Sequence, residues 1–317
     1  MNNIFSPYQN KKIMDKNIFK NLKILDGGMG QELLARGMKP NGTLWSAGAL
    51  LEEDKHSLVE NVHEDFVKAG ADVIITNTFT TRRIRLRENN IEDKFETLNK
   101  LAGEIAKRVK KKYPKILVAG GLPPQNTTYL ADTRDESEIL NNFNDQAKIL
   151  NPFVDFFYFD VLSSIKEICI AINSIKEFNK PFLIGAHISE GTSLPSGEKI
   201  SDIIKNIDSQ NLLGLILACV SPENFQRNIE DIKKINCPFG FKLNAFERTK
   251  TTGGYTSNFK KKVRSGNPNE ILGQRKDLTP EKMAEFAKKF KNAGATILGG
   301  CCETRPSHIK EISKLIY

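Results

Sequence analysis

A single (β/α)8 TIM barrel, in the α/β class, is the fold that this 317-residue chain predicts, and three observations carry the expectation. Eight short runs of apolar and β-branched residues recur along it, most of them apolar at consecutive positions. That is the pattern of strands buried on both faces of a parallel sheet. Segments with helical spacing separate the runs, and several close on Gly before the next one. Finally, no linker and no internal repeat divides the chain. The alternation therefore belongs to one domain, and it holds more strands than a doubly wound open sheet usually carries.

The opening stretch MNNIFSPYQNKKIMDKNIFKN is polar, has no continuous apolar segment and shows no small-residue cleavage site. Residues 1–22 therefore read as an arm, flexible or packed on the surface, and not as a secretory signal. The barrel domain follows over residues 23–317. Its expected strands are KILD (23–26), DVIITNT (72–78), KILVAGG (115–121), DFFYFDVL (155–162), PFLIGAHI (181–188), LLGLILAC (212–219), FGFKLNA (239–245) and ATILGG (295–300). Helices are expected in HSLVENVHEDFVKAG, KFETLNKLAGEIAKRVKKK, SSIKEICIAINSIKEF and TPEKMAEFAKKFKNAG. In the last of these, Thr279 supplies an N-cap and Pro280 the first helical position. PSHIKEISKLIY forms a closing helix. Residues 247–279 break the rhythm: they are long, basic and rich in Gly, Thr and Asn. They read as an extended loop after strand seven, of the kind that serves as a lid or rim.

A net charge of +9 raises the question of nucleic acid. The lysines, however, lie along helices (AKRVKKKY, FAKKFKN) with few aromatics among them, which describes solvated helix faces rather than a nucleic-acid surface. No apolar run approaches ~20 residues, so no membrane span is expected. Five cysteines in a chain of this length, without an export signal, point to the reducing cytoplasm. There, clustered cysteines serve as ligands or catalysts more often than as bridges. Self-association into a homo-oligomer is left open.

In such barrels chemistry sits where strands end, at the carboxyl face. The strand ends in order supply Asp26, Asn77 with Thr78, Gly120–Gly121, Asp160, His187, Cys219, Asn244, and Cys301 with Cys302. Cys169 lies within a helix and Cys237 precedes Pro238, so three of the five cysteines occupy strand ends, on strands six and eight. Only strand seven separates those two in a closed ring, so their sulfurs can converge. Three thiolates with one open position describe a catalytic zinc site, and soft thiolates select zinc or Cu(I) over magnesium and calcium. The Gly299–Gly300 pair is expected to let the backbone turn so that consecutive cysteines reach one ion. Against this stands the frequency of Cys as a plain core residue. A redox role fits less well, because adjacent cysteines close only a strained ring and lack C-x-x-C spacing. Asp26 can be a helix N-cap before a Gly turn. Asp160, among FFYF, needs a cationic partner such as a substrate ammonium. His187 reads as a satisfied core histidine or as support for the site.

LDGGMGQELLARG, AGADVIITNTFTT, VDFFYFDVLSS, ACVSPENF, LNAFE and above all AGATILGGCCETRPSHI resemble the landmarks of the homocysteine S-methyltransferase family. This family includes betaine–homocysteine and S-methylmethionine–homocysteine methyltransferases, and the resemblance runs from about Lys23 to the end. It implies a (β/α)8 barrel in which Cys219, Cys301 and Cys302 bind Zn2+ and the homocysteine sulfur takes the open position. The thiolate then attacks a methyl group of an onium donor to give methionine. No catalytic residue beyond the zinc site is implied, and the partners are homocysteine and a small methyl donor. Asp26 and Asp160 are placed by it to receive the homocysteine ammonium. For the donor it points to Trp45, with Phe79, Thr80, Tyr158 and Tyr255 as further candidates, around betaine, a dimethylsulfoniopropionate-like compound or S-methylmethionine. The chain departs from the family pattern in its GGLPPQ segment, at Asp160, where Glu is usual, at Ala218, where Asn is usual, and at Thr80 and Val161, where betaine-type enzymes carry Tyr. These motivate an alternative, a barrel of the same family that binds thiol and onium with altered specificity or without catalysis.

Overall fold

The computed structural model describes residues 14–188, 190–248 and 267–316. All eight expected runs form strands: β1 (Lys23–Ile24), β2 (Val73–Ile75), β3 (Leu117–Leu122), β4 (Phe156–Leu162), β5 (Phe182–Ala186), β6 (Leu212–Val220), β7 (Phe239–Leu243) and β8 (Ile297–Gly300). Every pairing is parallel, strands neighbouring in sequence are neighbours in space from β2 to β8, and β8 pairs with β1. A parallel bridge between Leu25 and Val73, with the Asp26 N–H donating to the Val73 carbonyl at 3.0 Å, joins β1 to β2. The ring is thereby hydrogen-bonded all the way round.

The helices lie where the spacing predicts them, at His56–Lys68, Phe95–Lys112, Ile165–Ser174, Pro280–Asn292 and Pro306–Ser313. Thr279 caps its helix by accepting from the Lys282 N–H at 3.2 Å, and Gly70 and Gly294 leave theirs at φ 104° and 106°. One crossover departs from strict alternation. Between β5 and β6 the described residues hold only a 3-10 turn, Ile200–Asp202, and no α-helix. Gly191, Pro195 and Gly197 interrupt that stretch, and Gly197 takes φ 100°, so no continuous helical ladder can form there. After β7, a short helix at Asn269–Leu272 is described, but residues 249–266, and with them most of the expected lid, lie outside the described residues. No described helix is long and apolar enough to cross a membrane.

Two apolar layers hold the barrel. The outer one joins helices to strands; the inner one fills the barrel with Leu25, Val73, Phe156, Tyr158, Leu183 and Ile216. Phe19, from the N-terminal arm, also belongs to the inner layer. It is fully buried, sits edge-on to Phe156 at 5.7 Å between ring centroids, and its carbonyl accepts from Thr296 Oγ1 at 2.7 Å. This part of the arm is therefore a plug in the barrel's amino end and not a surface segment. Burying such a ring stabilises the fold by about 1.5–3 kcal/mol.

Candidate metal centre and active site

Two strands change register at the carboxyl mouth. The β4–β5 pairing slips between Phe159 and Leu162, and the β6–β7 pairing slips between Ala218 and Val220. At the slips Val161 and Cys219 take φ 65° and 55°, a left-handed conformation that costs a non-glycine residue energy and a β-branched one most. Such bulges re-aim side chains next to functional sites. Here one lies beside Asp160 and the other on Cys219.

The Cys219, Cys301 and Cys302 sulfurs all lie within 4.8 Å of one another, with Cys302 Sγ 3.9 Å from each of the other two. Cys219 and Cys302 are buried and Cys301 faces the pocket. Tyr129 Oη lies 2.9 Å from Cys219 Sγ, and Asn244 Nδ2 donates to the same sulfur at 3.6 Å. Hydrogen bonds from Cys301, Cys302 and Tyr129 hold the Cys219 thiol well below its ordinary value. The same contact with Cys219 pushes Cys301 up to about 12 and also raises Cys302 well above the ordinary thiol value, so the three sulfurs share hydrogen bonds centred on Cys219. A soft cation would let all three thiols ionise together, and this donor set fits one. Gly299 and Gly300 act differently from the expected turn. Both are within β8, and a Cβ on Gly299 would lie 2.7 Å from Leu25 Cβ, and one on Gly300 2.1 Å from Thr304 Oγ1. They permit close approach; the reversal itself falls on Glu303, at φ 61°.

The two carboxylates differ in their company. Asp26 is saturated: Oδ2 accepts from the Ile75 N–H at 2.8 Å, and Oδ1 pairs with Lys242 Nζ at 3.2 Å. Burial works against the Lys242 ammonium, but Asp26 and Asp160 outweigh it and hold its pKa above the ordinary value. Asp160 lines the same pocket; its Oδ1 is buried with no hydrogen bond of ordinary length, and among the described residues the Tyr158 hydroxyl is the one protein donor that interacts with the carboxylate. Burial pushes its carboxyl up to about 7 despite the nearby lysine charge. Asp26 thus already holds an internal ammonium, while Asp160 has an oxygen left to offer. Asp26 caps no helix by its side chain, since helix Met29–Ala35 starts from Gly28 without one.

Trp45 and Phe79 line the pocket edge-to-face, 6.3 Å between centroids. Trp45 sits at φ 42° in the turn Gly42–Ala47, and Gly30 lies against its ring, so that a Cβ there would come within 2.1 Å of Cε2. Thr80 lines the pocket too, but its hydroxyl is committed to that turn: it donates to the Leu44 carbonyl at 2.6 Å and accepts from the Ala47 N–H at 3.2 Å. Asn77 adds a bond from Nδ2 to the Ser46 carbonyl at 3.0 Å. Tyr158 is not brought to the pocket wall. Its ring belongs to the inner barrel layer, beneath Lys242 Nζ at 5.6 Å, because inward positions of β4 alternate and Asp160 takes the outermost one. Tyr255 lies outside the described residues.

Among the pocket residues that sequence reasoning missed are Tyr129, Lys242, Arg82 and Arg85. Lys242 carried a signal, a lone charge inside the apolar run FGFKL, of the same kind that singled out Asp160. Tyr129 carried none, being one residue of a loop. It stacks on His187 at 4.2 Å, and His187 Nδ1 approaches the Ala218 carbonyl at 3.3 Å. Burial drives the His187 pKa to about 4, so the ring is neutral and backs the tyrosine that touches Cys219.

Comparison with known proteins bears on this geometry. The homocysteine S-methyltransferase family model matches residues 23–316. A maize protein named homocysteine S-methyltransferase 1 is 26% identical over 92% of this chain and 94% of its own length. An S-methylmethionine–homocysteine S-methyltransferase from Pongo abelii is 27% identical over 91% of this chain and 77% of its own. Among solved structures, the Escherichia coli homocysteine methyltransferase MmuM shares the fold, with a TM-score of 0.75 at 20% identity over 93% of this chain and 96% of that one. With nearly its whole length matched by the family model, from β1 to the final helix, the chain belongs to the homocysteine S-methyltransferase family.

Proposed function

We propose that this protein is a zinc-dependent S-methyltransferase that moves a methyl group from an onium donor to homocysteine, giving methionine. The observation that carries the reading is the convergence of Cys219, Cys301 and Cys302 on one pocket that also holds the buried Asp160 carboxylate and an aromatic wall. Zinc bound by these three thiolates would favour the thiolate form of a substrate thiol at neutral pH. Asp160 accepts the homocysteine ammonium, which would satisfy its lone oxygen. Asp26 acts through Lys242, holding the lysine ammonium in the pocket lining. Trp45 and Phe79 offer ring faces and edges to the onium group. Transfer needs no acid or base at the methyl carbon: the sulfur lone pair forms the new S–C bond as the donor leaves with its own electron pair. Alignment therefore supplies much of the rate.

The test is a donor panel of betaine, dimethylsulfoniopropionate and S-methylmethionine with homocysteine and zinc, read as methionine formed. The family alternative, a barrel that binds thiol and onium without transfer, draws on the engagement of Asp26 by Lys242 and on Thr80 where a cage tyrosine is usual. Homocysteine binding by calorimetry with no methionine from any donor would select that alternative.

A further inference from the structure

A lysine inside a barrel is costly to bury, yet Lys242 lines the pocket from β7 at 5% exposure. Gly299, its partner on β8, leaves room for the stem: a Cβ there would come within 3.4 Å of Lys242 Cγ. Burial works against the charge, but Asp26, Asp160 and the Cys301 sulfur outweigh it and keep the side chain an ammonium. An ammonium carries three donors, and among the described residues only Asp26 Oδ1 accepts a hydrogen bond from this one, at 3.2 Å. The Asp26 and Lys242 charges cancel, so the lysine offers a ligand no net charge but two further N–H groups on a buried nitrogen. Buried donors left unmade destabilise the empty site until a ligand completes them. The pair has a second effect. Asp26, one of the two carboxylates that the family resemblance assigns to the acceptor's ammonium, is taken by the protein's own ammonium. Recognition of the acceptor thereby shifts from its ammonium towards its carboxylate.

We propose that Lys242 anchors the acceptor by its carboxylate, so that this protein also methylates mercapto acids that lack an ammonium group. The inference rests on the methyltransferase reading above. Homocysteine would use both ends, its ammonium at Asp160 and its carboxylate at Lys242. The amine-free 4-mercaptobutyrate would keep the Lys242 contact, with the Tyr158 hydroxyl left as the Asp160 partner. Its thiol proton goes to solvent and its sulfur lone pair forms the S–CH3 bond. The onium donor leaves with the electron pair of the bond that breaks, and the product is 4-(methylthio)butyrate. The carboxylate-free 3-aminopropanethiol lacks the anchor and brings a second cation beside Lys242.

The two probes keep the thiol and chain of homocysteine, and each lacks one end. On the zinc-loaded wild type, with a donor that is turned over with homocysteine, kcat/KM for 4-mercaptobutyrate should exceed that for 3-aminopropanethiol by about 10- to 100-fold, the worth of a charged hydrogen bond. Calorimetry should give the same order in Kd, a measurement that needs neither a variant nor turnover. In the double variant Asp26→Asn with Lys242→Met, which removes both buried charges together, the binding ratio should fall by at least about tenfold. A lysine that only neutralises Asp26 would leave that ratio unchanged. Equal or reversed binding of the probes by the wild type, or a ratio unchanged in the double variant, overturns the anchor. Homocysteine turnover without S-methylation of 4-mercaptobutyrate overturns the wider acceptor range. A panel in which homocysteine itself stays unmethylated defeats the methyltransferase reading instead, and the two binding ratios still decide the anchor.

Discussion

Replacing Lys242 by Met removes one half of a fully enclosed ion pair and strands the other. In the native protein Asp26, 3% exposed, has two partners, the Ile75 N–H at 2.8 Å and Lys242 Nζ at 3.2 Å. The variant keeps only the first. Breaking a buried pair from one side costs about 3–5 kcal/mol, because the surviving charge has lost both water and its counter-ion. The second Asp26 oxygen would then face the pocket with no donor. A double variant, Asp26→Asn with Lys242→Met, leaves no charge to strand and should recover most of the loss, since neutral replacement of a buried pair is often without net cost. Urea unfolding followed by circular dichroism measures both, through the midpoint at constant slope. The expected order of stability is wild type close to the double variant, with Lys242→Met well below. A single variant as stable as the wild type, or a double variant no better than the single one, would refute the assignment of Lys242 as the ammonium that neutralises Asp26.

Three further outcomes follow from the same geometry. Cys302→Ala removes the sulfur 3.9 Å from both of its neighbours, and should reduce bound zinc, measured by elemental analysis after dialysis, from about one per chain by at least about tenfold. Gly30→Ala puts a methyl group where the Trp45 ring lies, so the emission of this sole tryptophan should shift and donor KM rise, while calorimetric homocysteine binding persists. His63 is fully buried with neither ring nitrogen hydrogen-bonded, and burial lowers its pKa from 6.5 to about 4. A folded pKa below the unfolded one means that its stabilisation is complete above pH 6.5 and drains away as pH falls towards 4, by up to about 3 kcal/mol. His63→Leu should flatten that part of the pH–stability curve; an unchanged slope would place the acid sensitivity elsewhere.

Much of the fold was legible because parallel barrel strands are apolar on consecutive positions and end on the few polar residues that face the mouth. Cys219, Cys301 and Cys302 could be grouped from strand order alone, since only β7 separates β6 from β8. What escaped was set by packing rather than pattern. A two-residue β1, a crossover without an α-helix and the Phe19 plug depend on contacts far apart in sequence. Tyr158 and Asp160 lie two residues apart on one strand and so face the same way, yet differ in depth: the tyrosine is core and the aspartate wall. The role expected of Gly299 and Gly300 was also misjudged, because a need for closeness and a need for a turn leave the same two letters in a sequence. Tyr129 had no sequence signal at all, and only its 2.9 Å approach to Cys219 shows its place in the site.

The Phe19 plug has a practical consequence. The matched family segment starts at Lys23, so a chain trimmed to that boundary would begin four residues after the ring that closes the barrel floor. Phe156 and Tyr158 rest in the same cluster, and Tyr158 in turn supports Lys242 from below. An opened floor would let that column settle, and the lysine above it would lose its footing beside Asp26. Trimming at the apparent domain edge would thus reach the pocket from underneath, through the three aromatic rings of one core cluster rather than through any residue of the site itself.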